Sequence, residues 1–496
     1  MLLIISLVCM LLVFGHIFLW RSNRTRQCFA HLPSYPELPL IGSAILVYFI
    51  GYFKLSSYIL NFLIFTKLNL ISVLSELDDI KSVTNEFIEK PYYYGFARQW
   101  LGDGILTTSA NNWRRNIKKL AGTFSASTVE SFQNVFNSQA QKLVQGLRRE
   151  TGKGPFNVME KYLAEITLDT ICQIALGVSN ISESIVTREY YAAFMRTLQI
   201  LHIRGFNILL HSDLLFGLSS YGKEMTKAVD KLHHVSETVS MITKKTLMKS
   251  YNYQRCNENK TTTNFKSYLD ILLELKAKDP TFSMEQVRNE VDTIILAGQE
   301  TVATTLFYSL LMIGCHPEVQ DKLHAEMKTI FSDSSREVDK EDLARMTYCE
   351  AVINETLRLY PPAPAVFRVA DHDLQLKSCT VPKGVNCVVN IFGVGRSKRY
   401  WGADAEKFRP ERFEIGVNLP MIPFSTGRRA CIGKKYAMSI IKTIIAYCVR
   451  ELVFEAELDK IELKIDTALR TVCEKLLKVK IRQNRTKCRV SRIYCF

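Results

Sequence analysis

The segment from Phe424 to Gly433 has the residue types and spacing best suited to chemistry, with one thiol, Cys431, framed by Gly427, Arg429 and Gly433. Sulfur binds a metal as the thiolate, a form favoured by amide N–H groups, a nearby cation or the positive end of a helix. Gly427 and Gly433 allow the backbone to fold tightly against a flat macrocycle without Cβ clashes. Arg429 offers a cation both to a carboxylate of that macrocycle and to the thiol. Phe424 can pack beneath the sulfur. The helical pattern from Lys434 to Glu451 would place its N-terminal end near Cys431. Together these residues point to axial metal ligation by a sulfur desolvated on one side.

Two further groups need long elements to position them. An apolar helix is predicted from a Ser283 cap, with Gln286 placed for a capping box, to a stop at Gly314 and Pro317. It is apolar around most of its circumference and should run through the interior. Ala297, Gly298, Glu300 and Thr301 interrupt its middle. Thr301 can donate to the carbonyl of Ala297 four residues back, and Gly298 permits a local opening. Glu355 and Arg358 share one face of a second helix that Pro361 ends, in range of an ion pair.

The spacing of Phe424, Gly427, Arg429, Cys431 and Gly433 is that of the cytochrome P-450 signature, and the sequence resembles that superfamily from about residue 85 onward. The segments Lys90 to Phe96, Trp100 to Thr107, Tyr268 to Glu274 and Glu290 to Thr293 look like its family four, especially insect members. The resemblance implies a mainly α fold with minor β (α+β), with haem between the long central helix and the cysteine loop. The haem b would have Cys431 as axial thiolate, with Phe424, Ala297 and Gly298 against the macrocycle and Trp113, Arg368 and Arg429 at its propionates. Thr301 would hold water near the iron, and Glu300 would resupply its proton. Glu355, Arg358 and Arg412, the last from the run Phe408 to Phe413, would form a charge network that supports the loop.

Three departures from the family pattern carry their own expectations. Ile117 stands where Trp113 is normally followed by a propionate-binding arginine, and Lys118 points about 100° away from that position. Ala297 replaces a glutamate that esterifies haem in many family-four enzymes. The stretch from Gly42 to Ser75 is short, which predicts a truncated first hairpin.

Residues 1–20 read as a transmembrane anchor, because twenty helical residues span about 30 Å. Arg21, Arg24 and Arg26 follow it, so the remainder should face the cytosol, as at the endoplasmic reticulum membrane. Residues 21–40 form a basic, proline-rich connector, and 41–496 the haem-thiolate domain. Thirteen scattered cysteines without a CxxC pair disfavour a disulfide framework. The net charge of +15 comes without a nucleic-acid-binding motif, which favours a membrane surface or an acidic partner over nucleic acid. By resemblance, that partner is an NADPH-dependent reductase, with a small electron-transfer haemoprotein as a second donor. Arg428, Lys434 and Lys435, joined by Lys118 and Lys119, would form its docking face. The substrate would be a small-to-medium apolar molecule: lipid, hormone, odorant or xenobiotic. A haem-thiolate isomerase or dehydratase is the competing enzyme class, disfavoured by the Glu300–Thr301 pair; a non-catalytic haem-binding relative is the third.

Ala297 generates the first prediction. Acidified organic solvent should extract all haem from the purified protein, and haem left on the denatured polypeptide would contradict it.

Overall fold

The computed structural model describes residues 63–65, 70–177, 188–254, 266–332, 334–414, 419–457, 459, 461–465, 468–473 and 476–482. The predicted anchor and connector lie outside these residues.

The principal helices are α1 (Leu77–Glu86), α2 (Ala110–Leu120), α3 (Gln133–Arg148), α4 (Ala164–Leu176), α5 (Arg188–Phe206), α6 (Ser220–Gln254), α7 (Met284–Cys315), α8 (Pro317–Phe331), α9 (Thr347–Leu359) and α10 (Lys434–Glu451). Small sheets accompany them, so the mainly α architecture with minor β matches the expectation. One sheet has the order β1-β2-β4-β3, formed by β1 (Leu63–Phe65), β2 (Leu70–Leu74), β3 (Val366–Val369) and β4 (Asn386–Val389). Strands β1 and β2 are antiparallel, β2 runs parallel to β4, and β4 is antiparallel to β3, pairing Cys387 with Arg368. The first hairpin is therefore present. Its outer strand has only three residues, in keeping with the short segment before Ser75.

The helix α7 forms the axis of the core. Its apolar residues, among them Val287, Val291, Leu306 and Leu310, are almost wholly buried, so its length and composition serve a protein interior. Ser283 caps it by accepting from the Gln286 N–H at 3.0 Å. The second half of the expected capping box is missing, because the Gln286 side chain instead donates to Asp103 O and Glu290 Oε1. The helix runs unbroken past Gly298, where an opening was expected. A Cβ there would come within 2.7 Å of Ile171 and 3.4 Å of Tyr436, so this glycine lets α4 and α10 approach closely.

The network predicted from Glu355, Arg358 and Arg412 is formed. Arg358 grips Glu355 with two bonds, Nε to Oε2 at 2.6 Å and a terminal nitrogen to Oε1 at 2.7 Å. Its second terminal nitrogen donates to the carbonyls of Gly395 and Ala405, and the one that meets Oε1 also donates to the Lys407 carbonyl. Arg412 Nε reaches Glu355 Oε1 at 3.3 Å, and Arg412 also binds Asp404 and the Trp401 carbonyl. Glu355 also accepts the backbone N–H of Arg409. The only excess charge in this buried group is offset by Asp404, and the network fastens α9 to the chain that leads towards Cys431. Removing one member of a buried ion pair strands the other. Glu355→Ala should therefore destabilise the fold by about 3–5 kcal/mol, seen as a lower denaturant midpoint. An unchanged midpoint would refute this role.

Candidate active site

The cysteine loop closes on itself. The Cys431 N–H donates to Phe424 O at 2.9 Å, and the turn between them uses left-handed φ values at Ser425 (59°) and Gly427 (71°). Gly427 is required there for a second reason. A Cβ would lie 2.3 Å from the Thr84 carbonyl of α1, which the loop crosses while Arg428 donates its N–H to that same oxygen. Gly433 occupies the N-cap of α10, so the sulfur faces the positive end of an eighteen-residue helix.

Cys431 lies deep in the fold yet has an exposed surface, the mark of a side chain that faces an internal space. Burial raises its thiol pKa, opposed by the Gly433 N–H and the charge of Lys434. This corrects the expectation that Arg429 would lower it. The Arg429 guanidinium instead donates to the carbonyls of Ile88 (3.2 Å), Ile105 (2.9 Å) and Thr108 (3.3 Å), and lies 4.7 Å from the Trp113 ring. Phe424 is half-buried, with Lys434 Nζ 5.7 Å from its ring.

Arg429, Arg368 and Lys90 converge on one interior region. Arg368 is 2% exposed, with one bond to the Phe367 carbonyl and a buried Nε that has no partner. Burial and Arg368 push the Arg429 pKa down to about 9, and burial together with both arginines lowers that of Lys90 well below its ordinary value. The neighbouring acid, Glu89, accepts the Ala110 N–H at the start of α2 at 2.7 Å. So much interior positive charge is unfavourable unless an anion enters.

On α7, Ala297 and Thr301 are the exposed residues of a stretch otherwise buried or half-buried, and Thr301 donates to Ala297 O at 2.7 Å as expected. Glu300 is 7% exposed and forms an ion pair with Arg470 of β7 (Leu469–Thr471), the strand that pairs with β6 (Leu463–Ile465) after β5 (Leu452–Glu455). Sequence reading missed Arg470, since nothing in a three-residue strand marks its target. It also missed Lys90, which stood only as part of a family-like segment. Of the expected basic face, Arg428, Lys434, Lys435 and Lys118 are exposed, whereas Lys119 is bound to Asp279 at 2.5 Å. Ile117 packs with Trp113, Ile88 and Ala110.

Glu290 holds the loop that serves Arg429. It accepts the Ile105 N–H at 3.0 Å, while the Ile105 carbonyl receives Arg429.

The family model for cytochrome P450 matches residues 67–480. Cytochrome P450 4V2 of Pongo abelii is 32% identical over 390 residues, covering 77% of this chain and 74% of that protein. Cytochrome P450 4c21 of Blattella germanica is 28% identical over 453 residues, covering 88% of this chain and 90% of that protein. Cytochrome P450 4d1 of Drosophila melanogaster is 28% identical over 459 residues, covering 87% and 88% respectively.

Burial raises the Glu290 pKa from 4.5 to about 7. Between those values the unfolded chain releases a proton that the folded chain retains, so stability falls as pH rises through this window and levels off above it. Glu290→Gln removes that loss. It should match the wild type at pH below about 4 and be more stable above pH 8 by on the order of 2–3 kcal/mol, measured by denaturant titration across pH. A difference that does not grow with pH would refute this assignment.

Proposed function

Because this chain belongs to the cytochrome P450 family of monooxygenases and is family-four-like, we propose that it inserts one oxygen atom of O2 into a small-to-medium apolar substrate, a lipid, hormone, odorant or xenobiotic, using electrons that a reductase draws from NADPH. The observation that carries the reading is the Cys431 sulfur at the N-terminus of α10, inside the fold and open on one side.

The residues present fit haem. Gly433 stands beside the sulfur without a side chain, a Cβ there lying 3.8 Å from Sγ, and the interior cations with the unpartnered Arg368 Nε suit two propionates. When bound, a thiolate-held haem supplies the oxygen-activating chemistry. Cys431 would hold the iron, with the Gly433 N–H and the helix end withdrawing charge from sulfur. Arg429 and Arg368 would hold the propionates, with Trp113 stacked on Arg429. Ala297, small and exposed, would lie against the macrocycle, with Gly298 keeping α7 close behind it. The Thr301 hydroxyl, its proton directed to Ala297 O, has lone pairs free to accept a bond from water. Glu300 would pass protons to that water, and Arg470 fixes where its carboxylate stands.

Apolar residues uncovered between Phe206 and Leu218, including Leu209 at 68% and Leu214 at 72% exposure, support a membrane surface against this part of the protein. They agree with residues 1–20 as an anchor in the endoplasmic reticulum membrane. Exposed Arg428, Lys434 and Lys435 suit an acidic reductase.

The reduced protein under carbon monoxide should show a Soret band at about 450 nm, and Cys431→Ser should lose it together with NADPH-dependent product. A serine variant that kept the band would exclude Cys431 as ligand.

A further inference from the structure

A cavity of about 870 Å³ opens between the segment Tyr92–Leu101, the end of α5 with the stretch that follows it, and the start of α6. Phe96, Arg98 and Gln99 line one wall, and Lys223 and Thr226 of α6 line another. Two consecutive residues of the first wall are tied to α6. At the surface, Gln99 Nε2 donates to Thr226 Oγ1 at 2.9 Å. In the interior, His233 Nε2 meets the carbonyl of Trp100, in the one-turn helix Arg98–Leu101, at 2.7 Å. His233 lies nearly two turns beyond Thr226 on the same face of α6. A carbonyl only accepts, so Nε2 carries the proton, and a neutral His233 has no other N–H.

That single N–H has a second acceptor within reach. Asp292 of α7 is 1% exposed, and its Oδ1 accepts the Ser236 hydroxyl. Its Oδ2 is buried without a hydrogen bond among the described residues, 3.6 Å from His233 Nε2. Such an oxygen is costly when the acid is ionised and far less so when it is neutral. The charges around the pair are otherwise engaged. Arg288, one turn earlier on α7, bonds to Glu237 of α6 at 2.7 Å, and Arg98 is turned to Asp103 and the Thr107 carbonyl. Asp230 of α6 acts on His233, while Cys172 of α4 and Tyr190 of α5 face Asp292 and are held neutral by burial. Burial raises the Asp292 pKa from 3.8 to about 7, with Ser236 and Arg288 opposing and Glu237 reinforcing the rise. Burial lowers that of His233, which is therefore neutral where Asp292 titrates.

We propose that His233 is a latch with two positions, holding the wall Arg98–Leu101 to α6 through Trp100 O when Asp292 is protonated and giving up that bond to Asp292 Oδ2 when Asp292 is ionised. Ionisation makes Oδ2 a buried anionic acceptor that draws the N–H, and protonation removes the pull. The wall of the cavity is therefore fastened in acid and loosens as pH rises through about 7, with Gln99 and Thr226 left as its tether. This goes beyond the monooxygenase reading and does not depend on it.

Hydrogen exchange followed by mass spectrometry on the full-length, haem-loaded protein reads the latch. The Gly102 N–H, bonded to Arg98 O at 2.9 Å, reports on the short helix. With the intrinsic pH dependence of exchange divided out, wild-type protection over residues 98–104 should fall about 5–10-fold between about pH 6 and 8, the worth of one hydrogen bond. Asp292→Asn should keep the acid-form protection at both values. His233→Gln, whose amide has an N–H for each acceptor, should also be insensitive to pH. His233→Phe should lack the protection throughout. Wild-type protection that stays constant with pH would overturn the proposal, as would an equal fall in Asp292→Asn or His233→Gln. A fall shared by the core of α7 would mean general loosening and would overturn it too. Should Asp292→Asn fail to fold, the wild type and His233→Gln decide the matter between them.

Discussion

A sulfur anion in a protein interior persists only where something positive faces it and water is held away. Here the positive element is chiefly backbone, with the charge of Lys434 beside it. The N-terminus of α10 and the Gly433 N–H point at Cys431, and the loop that carries the sulfur is pinned by its own Cys431–Phe424 bond and by α1 through Thr84. Burial alone drives the thiol towards its neutral form, so the iron that would take the sulfur as ligand is also what would keep it ionised. The rest of the fold can be understood as the means of holding this loop still.

Charge is distributed so that this works. The network of Glu355, Arg358, Arg412 and Asp404 is internally compensated, every charged group meeting an opposite charge or a carbonyl, and it is consequently structural. The group of Lys90, Arg368 and Arg429 is the reverse. It is several cations against one occupied acid, a composition that a bound anion would complete. Two buried arginine clusters in one chain thus have opposite meanings, and the presence or absence of counter-charge tells them apart.

Much of this was legible in residue order. Local features were read correctly where a short span contained the whole cause: the Ser283 cap, the Thr301 bond to Ala297, the Glu355–Arg358 pair and the start of α10 all follow from spacing of four residues or fewer. Errors arose where a side chain had two possible partners. Gln286 left its capping box for Asp103 and Glu290, Lys119 left the basic face for Asp279, and Arg429 turned from the thiol to three carbonyls and Trp113. Gly298 was taken for a weak point in a helix, yet its missing Cβ serves the neighbours Ile171 and Tyr436.

What the sequence by itself determined is the chemistry available: one framed thiol, an acid beside an alcohol in mid-helix, a paired Glu355 and Arg358, and an isoleucine in place of a cation. Those are local facts, set by side-chain type and helical period. Tertiary structure decided which charges meet. Arg470 lies 170 residues from Glu300, and Lys90 is brought beside Arg368 and Arg429 by chain crossings that no spacing encodes. Electrostatic interaction depends on distance through space and on how much water lies between, and both are properties of the folded chain.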